Sequence, residues 1–241
     1  MRAETRHQLK QDRFSKATFE AAEKTVHWSQ EHQSKLVMGA IAIAAIAAIA
    51  IGSWYYVQSQ DEKASLEFSA AVRTLETPLR PPGTPAQPDQ PSYESSMERA
   101  TTARKQFKSI ADNYSSTHTG KMAGYFVGVT SAQMGDNATA ERRLQEAANS
   151  SDAQLASLGK FALASVYRAE NKDSQAINLY NQLIDKPTEV VGKVTAQLEL
   201  ASFYESQHKP DDARKLYEQI QKDNPQSEAG SRAQKGLANL K

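Results

Sequence analysis

The sequence predicts an all-α protein, with a single N-terminal transmembrane helix followed by a solenoid of helical hairpins. Three observations carry that expectation. Leu36–Val57 runs 22 residues without a charge. No alternating apolar–polar strand pattern appears anywhere after it. And apolar anchors recur at a displacement of 37 residues through the second half of the chain.

Composition bounds the classes of function. The chain has 241 residues and a formal charge of +1, with no basic run interleaved with aromatics, so nothing points to nucleic acid. It has no cysteine, which excludes disulfides and thiolate metal sites. The 35 residues before the apolar stretch are too few to bury a core, whereas the 184 after it are ample.

Residues 1–35 form a basic segment with scattered apolar positions. Phe14, Ala21 and Trp28 recur every seven residues with Ala17 on the same side, and Phe19, Ala22 and Val26 make a second strip. Such a helix suits an interfacial position or a docking handle, or simply extends the span. His27 and His32 are five apart, the wrong spacing for a shared metal face on a helix.

Residues 36–57 are the membrane helix. At 1.5 Å per residue they reach roughly 33 Å, enough to cross a hydrocarbon core of about 30 Å. Ile alternates with Ala, and Trp54, Tyr55 and Tyr56 sit at the exit, where amphipathic rings favour headgroups. Seven basic residues precede the span within 1–35, against two, Lys63 and Arg73, within 58–77. That bias places the N-terminus in the cytoplasm and the C-terminal part across the membrane. A cleaved signal peptide is the alternative, with Ala48-Ile49-Ala50 as an Ala-x-Ala triplet. Against it, the apolar run exceeds the usual core of about 7–15 residues. Ala40, Ala44, Ala48 and Gly52 fall at i+4 intervals, a small-residue stripe suited to packing a second membrane helix.

Residues 58–77 continue a helical period as a stalk, through Leu66 and Ala70 and through Phe68, Val72 and Leu75. Residues 78–92 hold six of the nine prolines, with Gly83 among them, and predict an extended, mobile loop. Pro82, Pro85, Pro88 and Pro91 stand in PxxP register, a pattern also found in polyproline ligands.

Residues 93–241 are helix after helix. Met97, Ala100, Ala103, Phe107, Ile110 and Tyr114 step by three or four, an amphipathic stripe. Leu163-Ala164-x-x-Tyr167 with Ala176-x-x-x-Tyr180 matches Leu200-Ala201-x-x-Tyr204 with Ala213-x-x-x-Tyr217. Val127-Gly128, Ala140 and Leu144 give a weaker copy 36 residues earlier, and Ala103 with Phe107 gives the second half of a fourth. Small residues (Gly128, Ala164, Ala201; Ala140, Ala176, Ala213) fit where backbones cross closely. Large ones (Tyr167, Tyr204, Leu144, Tyr180, Tyr217) fill the space between pairs. Gly135, Asn171 and His208 share one turn position, where Gly and Asn tolerate left-handed backbone. Each pair leaves an apolar face that only the next can cover. Ser227–Leu240, with Ala229, Ala233, Leu237 and Leu240, predicts a capping helix.

This spacing, closed by Pro225, resembles the tetratricopeptide repeat over most of residues 94–225. The repeat length is 36–37 rather than the family's usual 34, the tryptophan-like first anchor is missing, and Lys186–Gly192 reads as an insertion. The whole arrangement is similar to the ancillary Sec-translocon subunit family (YfgM-type) of bacterial inner membranes. That resemblance implies a periplasmic scaffold beside the export channel, with translocon subunits, periplasmic chaperones or exported clients as partners. Envelope scaffolds of cell division or outer-membrane assembly look alike here and stay as alternatives, as do self-association and a transmembrane signal transducer read out by residues 1–35.

The tetratricopeptide resemblance implies a peptide groove lined by first helices. Carried over residue by residue, it gives Tyr125 and Val129, Phe161 and Ser165, and Leu198 and Ser202, with Arg168 and Glu205 flanking. The Lys/Asn pattern that clamps a terminal carboxylate in chaperone-binding members is absent, so apolar peptide or a partner helix is expected. No Walker loop, dinucleotide glycine pattern, HExxH or GxSxG occurs, and the five histidines are dispersed. Asp211-Asp212 begins a helix, and Glu141 with Arg142 and Arg143 reads as a solvated face. No catalytic residue, metal or cofactor is expected, and the chain is read as a non-enzyme.

Overall fold

The computed structural model describes residues 32–81, 83–85 and 91–240. The helical strips of residues 1–31, His27, and Pro82 and Pro88 of the PxxP register lie outside the described residues. These contain nine α-helices: α1 (Gln33–Glu76), α2 (Ser96–Asn113), α3 (His118–Gln133), α4 (Asn137–Ala148), α5 (Ala153–Ala169), α6 (Asp173–Asp185), α7 (Lys193–Ser206), α8 (Pro210–Asp223) and α9 (Glu228–Asn239). Two compact units divide the chain, one ending at Tyr56 and one running Val57–Lys241.

The first unit contains the apolar part of α1, a helix long and apolar enough to cross a membrane. None of that stretch is buried by protein: Ile41, Ile43, Ile46, Ile49 and Ile51 all face outward, as does the Ala40–Ala44–Ala48–Gly52 stripe. A helix satisfies its own backbone donors, which is what a membrane-crossing stretch of this length requires.

The second unit is a stack of hairpins. Residues 58–76, expected as a stalk, are helical but not free. Ala64 and Ala71 are fully buried and pack with Ala103, Phe107, Ile110, Ala123 and Val127 of α2 and α3. Phe68 meets Phe107 and Phe126 edge-on at 5.3 and 5.4 Å, while those two rings stack at 4.9 Å. The second half of α1 is therefore the first helix of the hairpin whose second helix is α2. The half-repeat seen in the sequence is a whole one.

The following hairpins are α3–α4, α5–α6 and α7–α8, with α9 covering the last. Their turns obey one rule. Gly135, Asn171 and His208 all take positive φ, +76°, +57° and +55°, at equivalent positions. Side-chain oxygens of Ser95, Thr117, Asp136, Asp152 and Ser227 accept from the first-turn N–H groups of α2, α3, α4, α5 and α9, satisfying donors that no earlier turn can reach. At α8 proline enters the first turn, where its missing N–H costs nothing.

Residue size decides how closely the helices cross. A Cβ on Gly128 would lie 2.7 Å from Leu144 Cγ, and one on Gly159 would collide with the α4 backbone at Ala147 and Ala148. Ala140, Ala164, Ala176, Ala201 and Ala213 are fully buried, Tyr167, Tyr180 and Tyr217 nearly so, and Tyr204 is half-buried. The insertion after α6 folds back on α5. Val191 is buried, and Ser157 and Thr188 share a hydroxyl hydrogen bond of 2.7 Å. The base of the proline loop is tied by Arg80 N–H to Tyr93 O at 2.7 Å and by the Arg80–Glu94 ion pair.

The charged positions on α4 do more than face solvent. Glu141 accepts from Tyr167 Oη at 3.2 Å and Lys172 Nζ at 2.7 Å. Arg143 pairs with Asp112 on α2 and Glu146 on its own helix. Both therefore join neighbouring hairpins.

Candidate functional site

The first helices α3 and α5 enclose an open groove of about 440 Å³. Two faces make it. On α3, Tyr125, Val129 and Gln133 are spaced four apart and so share one side of the helix. On α5, Phe161, Ser165 and Ala169 do the same. Leu144 of α4 and Val166 of α5 supply apolar floor between them.

The structure thus brings together four of the eight sequence-predicted groove residues: Tyr125, Val129, Phe161 and Ser165. The rings are held in place. Tyr125 meets Phe126 edge-on at 5.3 Å, and Phe161 meets Tyr180 at 6.2 Å. Burial pushes the Tyr125 phenol up from its ordinary value, so it stays a neutral donor.

The other four do not join this groove. Leu198 is buried in the core of the last hairpin with Ala201, Ala213, Tyr217 and Ile220, so it offers no surface to a ligand. Ser202 is exposed one turn away from it. Arg168 is engaged within the solenoid: its guanidinium lies 5.0 Å over the Phe203 ring, and Nη1 donates to Glu199 at 3.3 Å. Glu205 lies beside Tyr217, whose phenol is pushed up to about 12 by burial and then by the Glu205 charge. The last hairpin is closed by α9, whose Gly236 meets the Tyr217 ring.

The other lining residues escape a reading by family position, Gln133, Asn137 and Leu144 among them. Gln133 was within reach, because it continues the i, i+4 row of Tyr125 and Val129. Asn137 opens the next helix, and no local pattern aims it here. Among the described residues, no charged side chain lines the groove. Its polar groups are a phenol, a hydroxyl and two carboxamides, which suit a peptide backbone better than an ionic ligand.

Elsewhere, His118 and His208 hold positions in the fold. His118 Nδ1 lies 3.2 Å from Asp152 Oδ2 at the start of α3. His208 takes the left-handed turn conformation.

Compared with known families, residues 26–235 match the tetratricopeptide repeat-like domain. Comparison with curated proteins and with solved structures finds no match.

Proposed function

This chain belongs to the tetratricopeptide repeat-like family, and from that premise we propose that it is a membrane-anchored scaffold that holds protein partners through its groove. Domains of this kind act as protein–protein interaction modules without a reaction of their own. The groove between α3 and α5 is the observation that carries the proposal. It is concave, apolar at its floor, uncharged among the described residues, and built on rigid helices.

In the finer form of the proposal, Leu36–Val57 spans a bacterial inner membrane with residues 1–35 in the cytoplasm and the repeats in the periplasm. The partners are then translocon subunits, periplasmic chaperones or exported clients. Support comes from the charge asymmetry across the span and from an apolar helix that no protein surface covers. Affinity would come from apolar burial, and the span would confine the search for partners to two dimensions.

The test is photo-crosslinking in whole membranes from a photoreactive residue at Ala48 and another at Ser165. Translocon adducts from the span, with chaperone or client adducts from the groove, are the expected result. Adducts only to division or outer-membrane assembly proteins would discard the export role and keep the scaffold. A mature chain shortened near Ala50, seen by intact mass, would discard the anchor.

A further inference from the structure

We propose that a second hollow extends the groove into one track, which docks an extended peptide segment whose acidic side chain pairs with Arg99. This rests on the groove binding peptide and adds the partner's charge and its place.

The second hollow has about 370 Å³ and is lined by Leu75, Ser96, Met97, Arg99, Ala100 and Gln133. Gln133 lines both hollows. Ala100 in the second hollow and Asn137 in the first stand 37 residues apart, the repeat displacement, so the two are the same feature in consecutive hairpins. From Gln133 back to Tyr125 the track follows eight residues of α3, about 12 Å. An extended peptide covers that in about four residues.

Charge selects the occupant. Among the described residues, Arg99 is the one charged residue lining either hollow. Its Nη1 donates to a neutral acceptor, Thr77 O, at 2.8 Å, and no carboxylate among the described residues lies within ion-pair distance. Its neighbours differ: Arg80 is neutralised by Glu94 and Arg104 by Asp136. The adjacent acid, Glu98, is turned away to accept from Glu94 N–H at 2.9 Å. Arg99 is half-buried beside Leu75 and Met97, its guanidinium keeps donors to spare for a carboxylate, and the apolar surroundings reduce screening by water. The partner is therefore a protein segment with apolar anchors for the Tyr125–Phe161 end and an Asp or Glu about four to five residues away.

The experiment uses the full chain in nanodiscs of neutral lipid and two fluorescent 14-residue peptides, acetylated and amidated to remove terminal charges. Both carry Phe and Leu anchors; one has Glu at the fifth position beyond them, its twin Gln. Fluorescence anisotropy should show the Glu peptide binding about three- to fivefold tighter, the range of a partly exposed ion pair. Arg99→Gln should abolish that preference without weakening the Gln peptide, Arg99→Lys should keep part of it, and Val129→Glu should weaken both peptides. Equal binding of the twins, lost in Val129→Glu, would overturn the Arg99 assignment and leave the groove standing. No binding of either peptide to wild type would overturn both. A preference that survives Arg99→Gln would place the acidic contact elsewhere. If Arg99→Gln lowers thermal stability through Thr77, the twin comparison in wild type and Arg99→Lys decides.

Discussion

The two halves of α1 share one unbroken helix of 44 residues and live by different rules. In Leu36–Val57, apolar side chains point in every direction and none is buried by protein. In residues 58–76, apolar positions keep to one face: Ala64, Phe68 and Ala71 enter the core, while Leu66 on the opposite face is 76 % exposed. The first half has the length and composition to cross a membrane, and a stretch that crosses lipid has no reason to choose a face, whereas one beside water must. Secondary structure alone does not say which half carries tertiary information; periodicity does.

The sharpest way to break this comparison is to remove what the second half packs against. Phe107 is fully buried between Phe68 and Phe126. Phe107→Ala should cost about 3–5 kcal/mol, read by denaturant unfolding of the repeat domain in the intact chain. An unchanged midpoint would mean that residues 58–76 are a stalk after all. Next comes a charge in the first half. Ala48→Asp should cost about 2.5–3.5 kcal/mol of membrane insertion and move chain from the membrane to the soluble fraction, leaving repeat unfolding unaltered.

A smaller effect separates the two faces of one segment. Ala64→Leu overfills a closed site and should destabilise by about 1–3 kcal/mol, while Leu66→Ala should fall within about 0.5 kcal/mol of wild type. Equal effects would contradict the amphipathic assignment.

The smallest effect is electrostatic and should appear in the repeats alone. The Asp136 carboxyl is held below its ordinary 3.8 by the Thr139 hydroxyl and N–H and, beyond them, by Arg104. That of Asp152 is held below it by the N–H groups of Leu155 and Gln154, then by His118 and Lys121. A carboxyl depressed in the folded state stabilises it above the unfolded value and loses that contribution as pH falls through the folded one. Thermal unfolding of the repeats should therefore shift to lower temperature below about pH 4, and Asp152→Asn should flatten the change.

Much of the fold was legible because its signals are short-ranged. Gly135, Asn171 and His208 were placed at one turn position from spacing, and all three adopt left-handed backbone. The groove was half legible. Tyr125, Val129, Phe161 and Ser165 converge as family position implies, but Leu198 is closed over by the last hairpin, and Arg168 is taken by Phe203 and Glu199. Equivalent positions in a repeat are equally exposed only while their neighbours are equivalent. At the end of the stack the neighbour is α9, not another hairpin.

By itself, then, the sequence determined the helices, the register of the repeats and the apolar stretch, since each follows from hydrogen bonds and side-chain character within a few residues. Only the tertiary structure decided that residues 58–76 complete the first hairpin, that Glu141 and Arg143 bridge hairpins, and that Arg99, beside Gln133, pairs with no acid among the described residues. Those depend on which surface arrives from elsewhere in the chain, and no local pattern encodes what it meets.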